Sequence, residues 1–168
     1  MIDWLTETFP NPYVNIILLT FFPALELRAS IPYGIAKTGI DWWWVVALAV
    51  VTNIVLGPIV YVLLDKFLHV MLRIGWFNRL WERFVLPKQK KIHAKVEKYG
   101  IWGLSIFIGI PLPGSGVYSG AIGAYLLGFS FKEFFVSTVL GVLIAAAVVT
   151  AIVLSGSQLF DFMIKAHG

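Results

Sequence analysis

Cysteine is absent from this chain, which removes disulfides, thiol redox chemistry and thiolate metal sites. Charge is scarce: Asp, Glu, Lys and Arg make up 13% of the 168 residues, against about 25% in soluble domains. That share, beside 59% hydrophobic residues and a mean hydropathy of +0.85, marks an integral membrane protein. Histidine is thin as well. His69, His93 and His167 are scattered, and we expect no acidic neighbour at metal-ligand spacing, so neither a metal site nor a cofactor. No histidine accompanies the serines of the proline- and glycine-rich stretches, and no carboxylate pair offers acid–base chemistry, so the chain is not expected to be an enzyme. Met1-Ile2-Asp3-Trp4 lacks the basic region of a signal peptide, so no segment is set aside as targeting.

What is present is a set of apolar runs of two lengths. Residues 1–12 mix Asp3 and Glu7 with Trp4, Leu5 and Phe9 before Pro10 and Pro12, and predict a short interfacial helix. Tyr13 to Leu25 reaches about 20 Å as a helix, short of the ~30 Å hydrocarbon core. Pro23, Glu26, Arg28, Ser30 and Pro32 follow, and the arm from Tyr33 to Asp41 cannot span either. Residues 13–40 therefore predict a re-entrant hairpin with a non-helical centre between Pro23 and Pro32. Residues 42–64 are an uncharged run long enough to cross. The run opens on Trp42-Trp43-Trp44, as expected at an interface. Asn53 and Gly57-Pro58 interrupt it, as a packing kink or a loosening beside a cavity.

Residues 65–98 hold nine of the thirteen basic residues and three acidic ones, a net +6 against −2 for the rest. The positive-inside rule makes this connector cytoplasmic. Its first part, 65–86, predicts two short amphipathic helices on the membrane surface, with Lys66, His69 and Arg73 on one face. The run Lys88, Lys90, Lys91, Lys95 and Lys98 reads first as a topology signal and second as a binder of anionic headgroups. Beside apolar segments, this basic excess does not imply nucleic acid.

Residues 99–128 repeat the first pattern: a short arm, a break at Pro111-Leu112-Pro113-Gly114-Ser115-Gly116, and a second short arm. Residues 134–154 predict a second span, rich in small residues that allow close packing, and 155–168 a polar tail. The order of features is the same in 13–64 and 99–154. The predicted fold is thus one all-α membrane domain over 1–168, built of two repeats, each a hairpin plus one span. One crossing per repeat gives the halves opposite orientation, an inverted repeat of the kind found in secondary transporters. Both termini then lie outside. A first half that crossed twice would put the +6 connector outside, against the charge rule.

Within this frame, Glu26 and Arg28 are charges placed far from an interface. In a regular helix residues i and i+2 do not face one another, but broken backbone would let both face one cavity. A poorly solvated Glu26 could exchange a proton near neutral pH, and Arg28 suits phosphate or carboxylate. The bland alternative is an ion pair that pins the hairpin. Intramembrane charges are costly and usually functional, which favours the first reading. Gly114-Ser115-Gly116 offers either an anion-binding concavity of amides or a plain tight turn. Ser30, Tyr33, Tyr118 and Ser119 are candidate hydrogen bonders of the cavity and, with Pro32 and Pro113, complete the candidate hairpin residues.

The run Leu25-Glu26-Leu27-Arg28-Ala29-Ser30-Ile31-Pro32, with a Pro-Gly hairpin in the second half, resembles the prokaryotic family of small multidrug export proteins, itself similar to the DedA membrane proteins. The resemblance covers nearly the whole chain. It implies paired re-entrant hairpins, an inverted repeat and a prokaryotic plasma membrane. Kinship with DedA proteins implies proton-coupled movement of lipid phosphates such as undecaprenyl phosphate. Glu26 matches the membrane-embedded acid of the DedA first hairpin, and Pro113-Gly114 resembles the Pro-Gly of its second. An arginine usually follows there, whereas here Gly116 and Tyr118 follow, so Arg28 would have to supply the charge from the other hairpin. The expected function is transport of an anionic lipid or amphiphile through a cavity between the hairpins. Export of lipophilic cations and a non-transporting scaffold are the alternatives. With two full spans per chain, a homodimer is expected.

Overall fold

Proline and asparagine set the first boundaries. In the computed structural model, which describes residues 9–23, 25–84, 100–112 and 115–167, the Asn11 side chain accepts from the Tyr13 N–H at 3.0 Å and opens helix α1 (Pro12–Phe21). Pro12 stands where a helix has no need of an N–H. The helix stops because Phe22 precedes Pro23 and is forced into extended backbone, φ −75° and ψ 122°. Its carbonyl then receives the N–H groups of Leu25 and Glu26, both at 3.0 Å. Helix α2 (Glu26–Lys37) starts at once and runs through Pro32. This corrects the expected non-helical centre: the chain is helical from Glu26 to Lys37, and Pro32 lies within that helix. Residues 1–8, where an interfacial helix was expected, lie outside the described residues.

α1 and α2 form an antiparallel pair. Thr20 bonds Ser30 at 2.8 Å, and four residues earlier Ile16 lies against Gly34, four residues later. A Cβ on Gly34 would also collide with Val45, so glycine is what lets α2 approach the start of the next helix. The turn between them uses Thr38, whose hydroxyl donates to the Gly34 carbonyl at 2.6 Å, and Gly39 at φ 68°, a left-handed value glycine adopts freely.

Helix α3 (Trp42–Leu72) is apolar and long enough to cross a membrane. It does not end at Leu64. The expected separate amphipathic helix from Asp65 is the same helix continuing, because 65–72 contain no proline or glycine to stop it. The chain turns at Arg73-Ile74 into one amphipathic helix, α4 (Gly75–Phe84). The lysine run of the connector lies outside the described residues.

The second half carries α5 (Gly100–Gly109), α6 (Val117–Leu127) and α7 (Phe131–His167). Gly128, at φ 80°, ends α6 with its own N–H on Tyr125 and the Phe129 N–H on the Ala124 carbonyl, a left-handed cap that a side chain would strain. Ser130 and Glu133 then form a capping box: the carboxylate accepts the Ser130 N–H at 2.7 Å while the hydroxyl accepts the Glu133 N–H at 3.4 Å. α7 is the second helix able to cross, over Phe131–Gly156, and it continues through what was expected to be a polar tail.

The chain forms two compact units. The first comprises 1–53 and 143–168, and the second 54–142. In the second, Ile108 of α5 fills the space that Gly120 of α6 and Gly141 of α7 leave open, each within 2.7 Å of where a Cβ would stand. Ser137 of α7 donates to the Ile101 carbonyl at 3.2 Å, and Gly141 lies at Ser105, four residues on in both helices, so α5 and α7 run parallel. α3 and α7 run antiparallel: Gly57 meets Thr138, while Tyr61 stacks on Phe134 at 4.9 Å.

Candidate functional site

In the first unit, Glu26 stands at the first position of α2 with φ 47°, the left-handed region that a non-glycine residue enters at a cost of about 1–3 kcal/mol. That backbone overcomes the objection from i, i+2 spacing. It turns the carboxylate so that Arg28 Nη1 reaches Glu26 Oε2 at 3.0 Å. The Glu26 side chain is 3% exposed and that of Arg28 15%. The Glu26 charge also suits its place, since a carboxylate in the first turn faces the positive end of the helix dipole.

Pro32, one turn beyond Arg28, has no N–H to offer the Arg28 carbonyl. Ser30 is fully buried, but its hydroxyl is engaged by Thr20, so it fastens the hairpin. Thr20 is the partner that reading the sequence missed, because its place across the hairpin depends on register. The first unit buries further polar groups: Asn15, Thr52, Asn53 and Thr150.

The second hairpin is built differently. Pro113 and Gly114 lie outside the described residues. Ser115 is buried, with its hydroxyl 2.6 Å from the Ile110 carbonyl and 2.9 Å from that of Leu112, and its N–H donates to Leu112 at 3.2 Å. Of the three amides expected to form an anion concavity, this one serves the turn. Gly116 is extended and opens α6. Tyr118 lines an open apolar groove of about 340 Å³ with Val60, Leu63, Phe67 and Ile122. Ser119 and Tyr33 are half-buried.

Histidine needs one correction. His69 does have an acidic neighbour at helical spacing: its Nδ1 lies 3.6 Å from Asp65 Oδ1, both on the exposed end of α3. Asp65 also accepts a hydrogen bond from the Tyr125 hydroxyl. Among the described residues no group of three His, Cys, Asp or Glu is placed to hold a metal.

The first unit thus holds a buried carboxylate paired with a part-buried guanidinium in an otherwise apolar hairpin, and the chain has two helices of crossing length. Residues 26–148 match the family model described as "Putative small multi-drug export protein". The chain belongs to this family. The match begins at Glu26 itself and ends within α7. Membership goes with an export role in a membrane. No curated protein and no solved structure matches the chain.

Proposed function

We propose that this exporter-family chain is a proton-coupled transporter of an anionic lipid or amphiphile, with Glu26 as the proton carrier and Arg28 as the contact for the anionic headgroup. The observation that carries the reading is the Glu26–Arg28 pair, with Glu26 buried at a strained backbone position and Arg28 part-buried in an otherwise apolar hairpin. A structural pin alone is poor return for that strain, because a buried ion pair is often no more stabilising than apolar residues of the same size. The guanidinium is permanently charged and offers a planar fork to phosphate. Kinship with DedA proteins, resembled by the Glu26 and Pro113-Gly114 positions, belongs to the same proposal. So do a homodimer and a cytoplasmic connector with both termini outside.

The inverted repeat is part of this reading. α1 and α2 are antiparallel, α2 turns back into α3, and α5, α6 and α7 follow the same order. α3 and α7, each the third helix of its half, run antiparallel. α1 and α5, at about 15 Å each, are too short to cross ~30 Å of hydrocarbon, which favours re-entrant pairs.

The family description favours a second reading, export of small lipophilic cations. The experiment that separates them uses protein reconstituted in vesicles, with uptake of dodecyl phosphate and of a lipophilic cation measured in native protein and Arg28→Ala. Loss of phosphate handling supports the anionic reading. Intact phosphate handling with improved cation uptake establishes the cationic one. Cysteines at positions 90 and 157 should label from opposite sides of the membrane, and labelling from one side would end the inverted-repeat proposal.

A further inference from the structure

Asn53 lies midway along α3, in the first unit, with no accessible surface. Neither its amide nitrogen nor its amide oxygen has a hydrogen-bond partner among the described residues. An asparagine side chain brings two donors and an acceptor with two lone pairs, and burying them unused carries a desolvation cost that leucine in that place would avoid. In the same unit, Asn15 Oδ1 and Thr150 Oγ1 are also in this condition. Asn15 is so only in part, since its amide nitrogen donates to the Phe9 carbonyl at 3.0 Å, and Thr150 brings a single hydroxyl. Asn53 keeps its whole hydrogen-bonding capacity.

The helix around Asn53 does not account for it. Gly57 is explained by close packing, because a Cβ there would stand 2.8 Å from the Thr138 methyl. Pro58 loosens the helix by withholding an N–H from the Ile54 carbonyl, one residue from Asn53. Neither needs an amide at position 53. In a crossing helix whose other interior positions are apolar or small, a wholly buried amide is kept where it meets something polar that comes and goes.

We propose that Asn53 binds the hydrogen-bonding headgroup of the transported amphiphile inside the first unit. This rests on the reading that Glu26 and Arg28 of that unit serve transport. On the anionic reading the headgroup is a singly protonated phosphate monoester, whose P–OH donates to the amide oxygen and whose phosphoryl oxygen accepts from the amide nitrogen. Arg28 supplies charge and Asn53 recognises a group that both donates and accepts.

Stability and affinity then respond with opposite signs. In purified full-length protein, Asn53→Leu should hold or raise the thermal unfolding temperature without ligand, yet weaken binding of dodecyl phosphate about tenfold or more, the loss of both hydrogen bonds to the headgroup. Asn53→Gln, which keeps the amide, should bind more tightly than Asn53→Leu. Unchanged binding by Asn53→Leu overturns the proposal. A lowered unfolding temperature overturns it too, since it reveals protein partners for the amide. Dodecylammonium, with the same tail and opposite charge, separates this proposal from the one beneath it. If native protein binds dodecylammonium and not dodecyl phosphate, the anionic reading alone fails. Asn53→Leu is then read on dodecylammonium, where a tenfold loss supports the headgroup contact and no loss overturns it. Binding of neither probe overturns both.

Discussion

Among the described residues, the buried polar ones in the unit built on the first hairpin are Asn15, Thr20, Glu26, Ser30, Thr52, Asn53 and Thr150; in the unit built on the second, they are Ser105, Ser115, Ser137 and Thr138. The two sets differ in kind. The second is all small hydroxyls, and those of Ser105, Ser115 and Ser137 donate to backbone carbonyls of their own or an adjacent helix segment. A serine used so is satisfied locally and lets helices approach closely. The first set includes a carboxylate and two amides, groups too polar to be kept for packing in hydrocarbon. On the proposed function, the two hairpins would divide their work, the first holding the chemistry and the second the scaffold.

The largest effect that could break this comparison is at Glu26. Glu26→Gln removes the titratable group at nearly constant volume and should abolish proton-linked uptake in vesicles while the protein still folds and inserts. Ser115→Ala in the other hairpin should leave uptake and its pH dependence in place, with a stability loss of about 1 kcal/mol. Normal, pH-dependent transport by Glu26→Gln would make both hairpins scaffold.

Next in size is Arg28→Ala. It should weaken phosphate-amphiphile binding by about 1.5–3 kcal/mol, the worth of a charged hydrogen bond, with Arg28→Lys a poor substitute if the contact is bidentate. Calorimetric titration in detergent measures both.

The packing half of the comparison is sharpened with glycines. Gly141→Ala would bring a Cβ within 2.8 Å of the Ser105 carbonyl oxygen, an atom of backbone that cannot rotate away. It should cost about 1–3 kcal/mol of stability. Gly123→Ala meets nothing within 4 Å and should be neutral or stabilising. Thermal unfolding in detergent ranks the pair, and equal losses would refute the close α5–α7 approach.

The smallest effect belongs to the bolt of the first hairpin. Thr20→Val or Ser30→Ala removes the 2.8 Å bond between them and should cost about 0.5–1.5 kcal/mol. The double variant should cost less than the sum of the two, because both remove one interaction. Full additivity would show that the hydroxyls act separately.

Composition and the lengths of the apolar runs pointed to a membrane protein with two crossing-length helices, since hydrocarbon thickness and helix rise set the length that a span needs. The first arm was expected to reach Leu25, but α1 ends at Phe21, because an X-Pro step acts on the residue before Pro23. Glu26 and Arg28 stood out because charge in hydrocarbon is rare. What the sequence could not decide was whatever depends on neighbours distant in the chain. Pro32 looked like a helix breaker, yet packing on α1 holds it inside a helix. Asp65 looked like the start of a new helix, though nothing at 65–72 stops the old one. The pairing of Glu26 with Arg28 needed a left-handed φ that no local propensity of glutamate supplies. Asn53 read as part of a packing kink or of a loosening beside a cavity. Its burial, and the absence of any partner for its amide among the described residues, were decided by tertiary packing, which alone determines which groups lose water and which find another bond in its place.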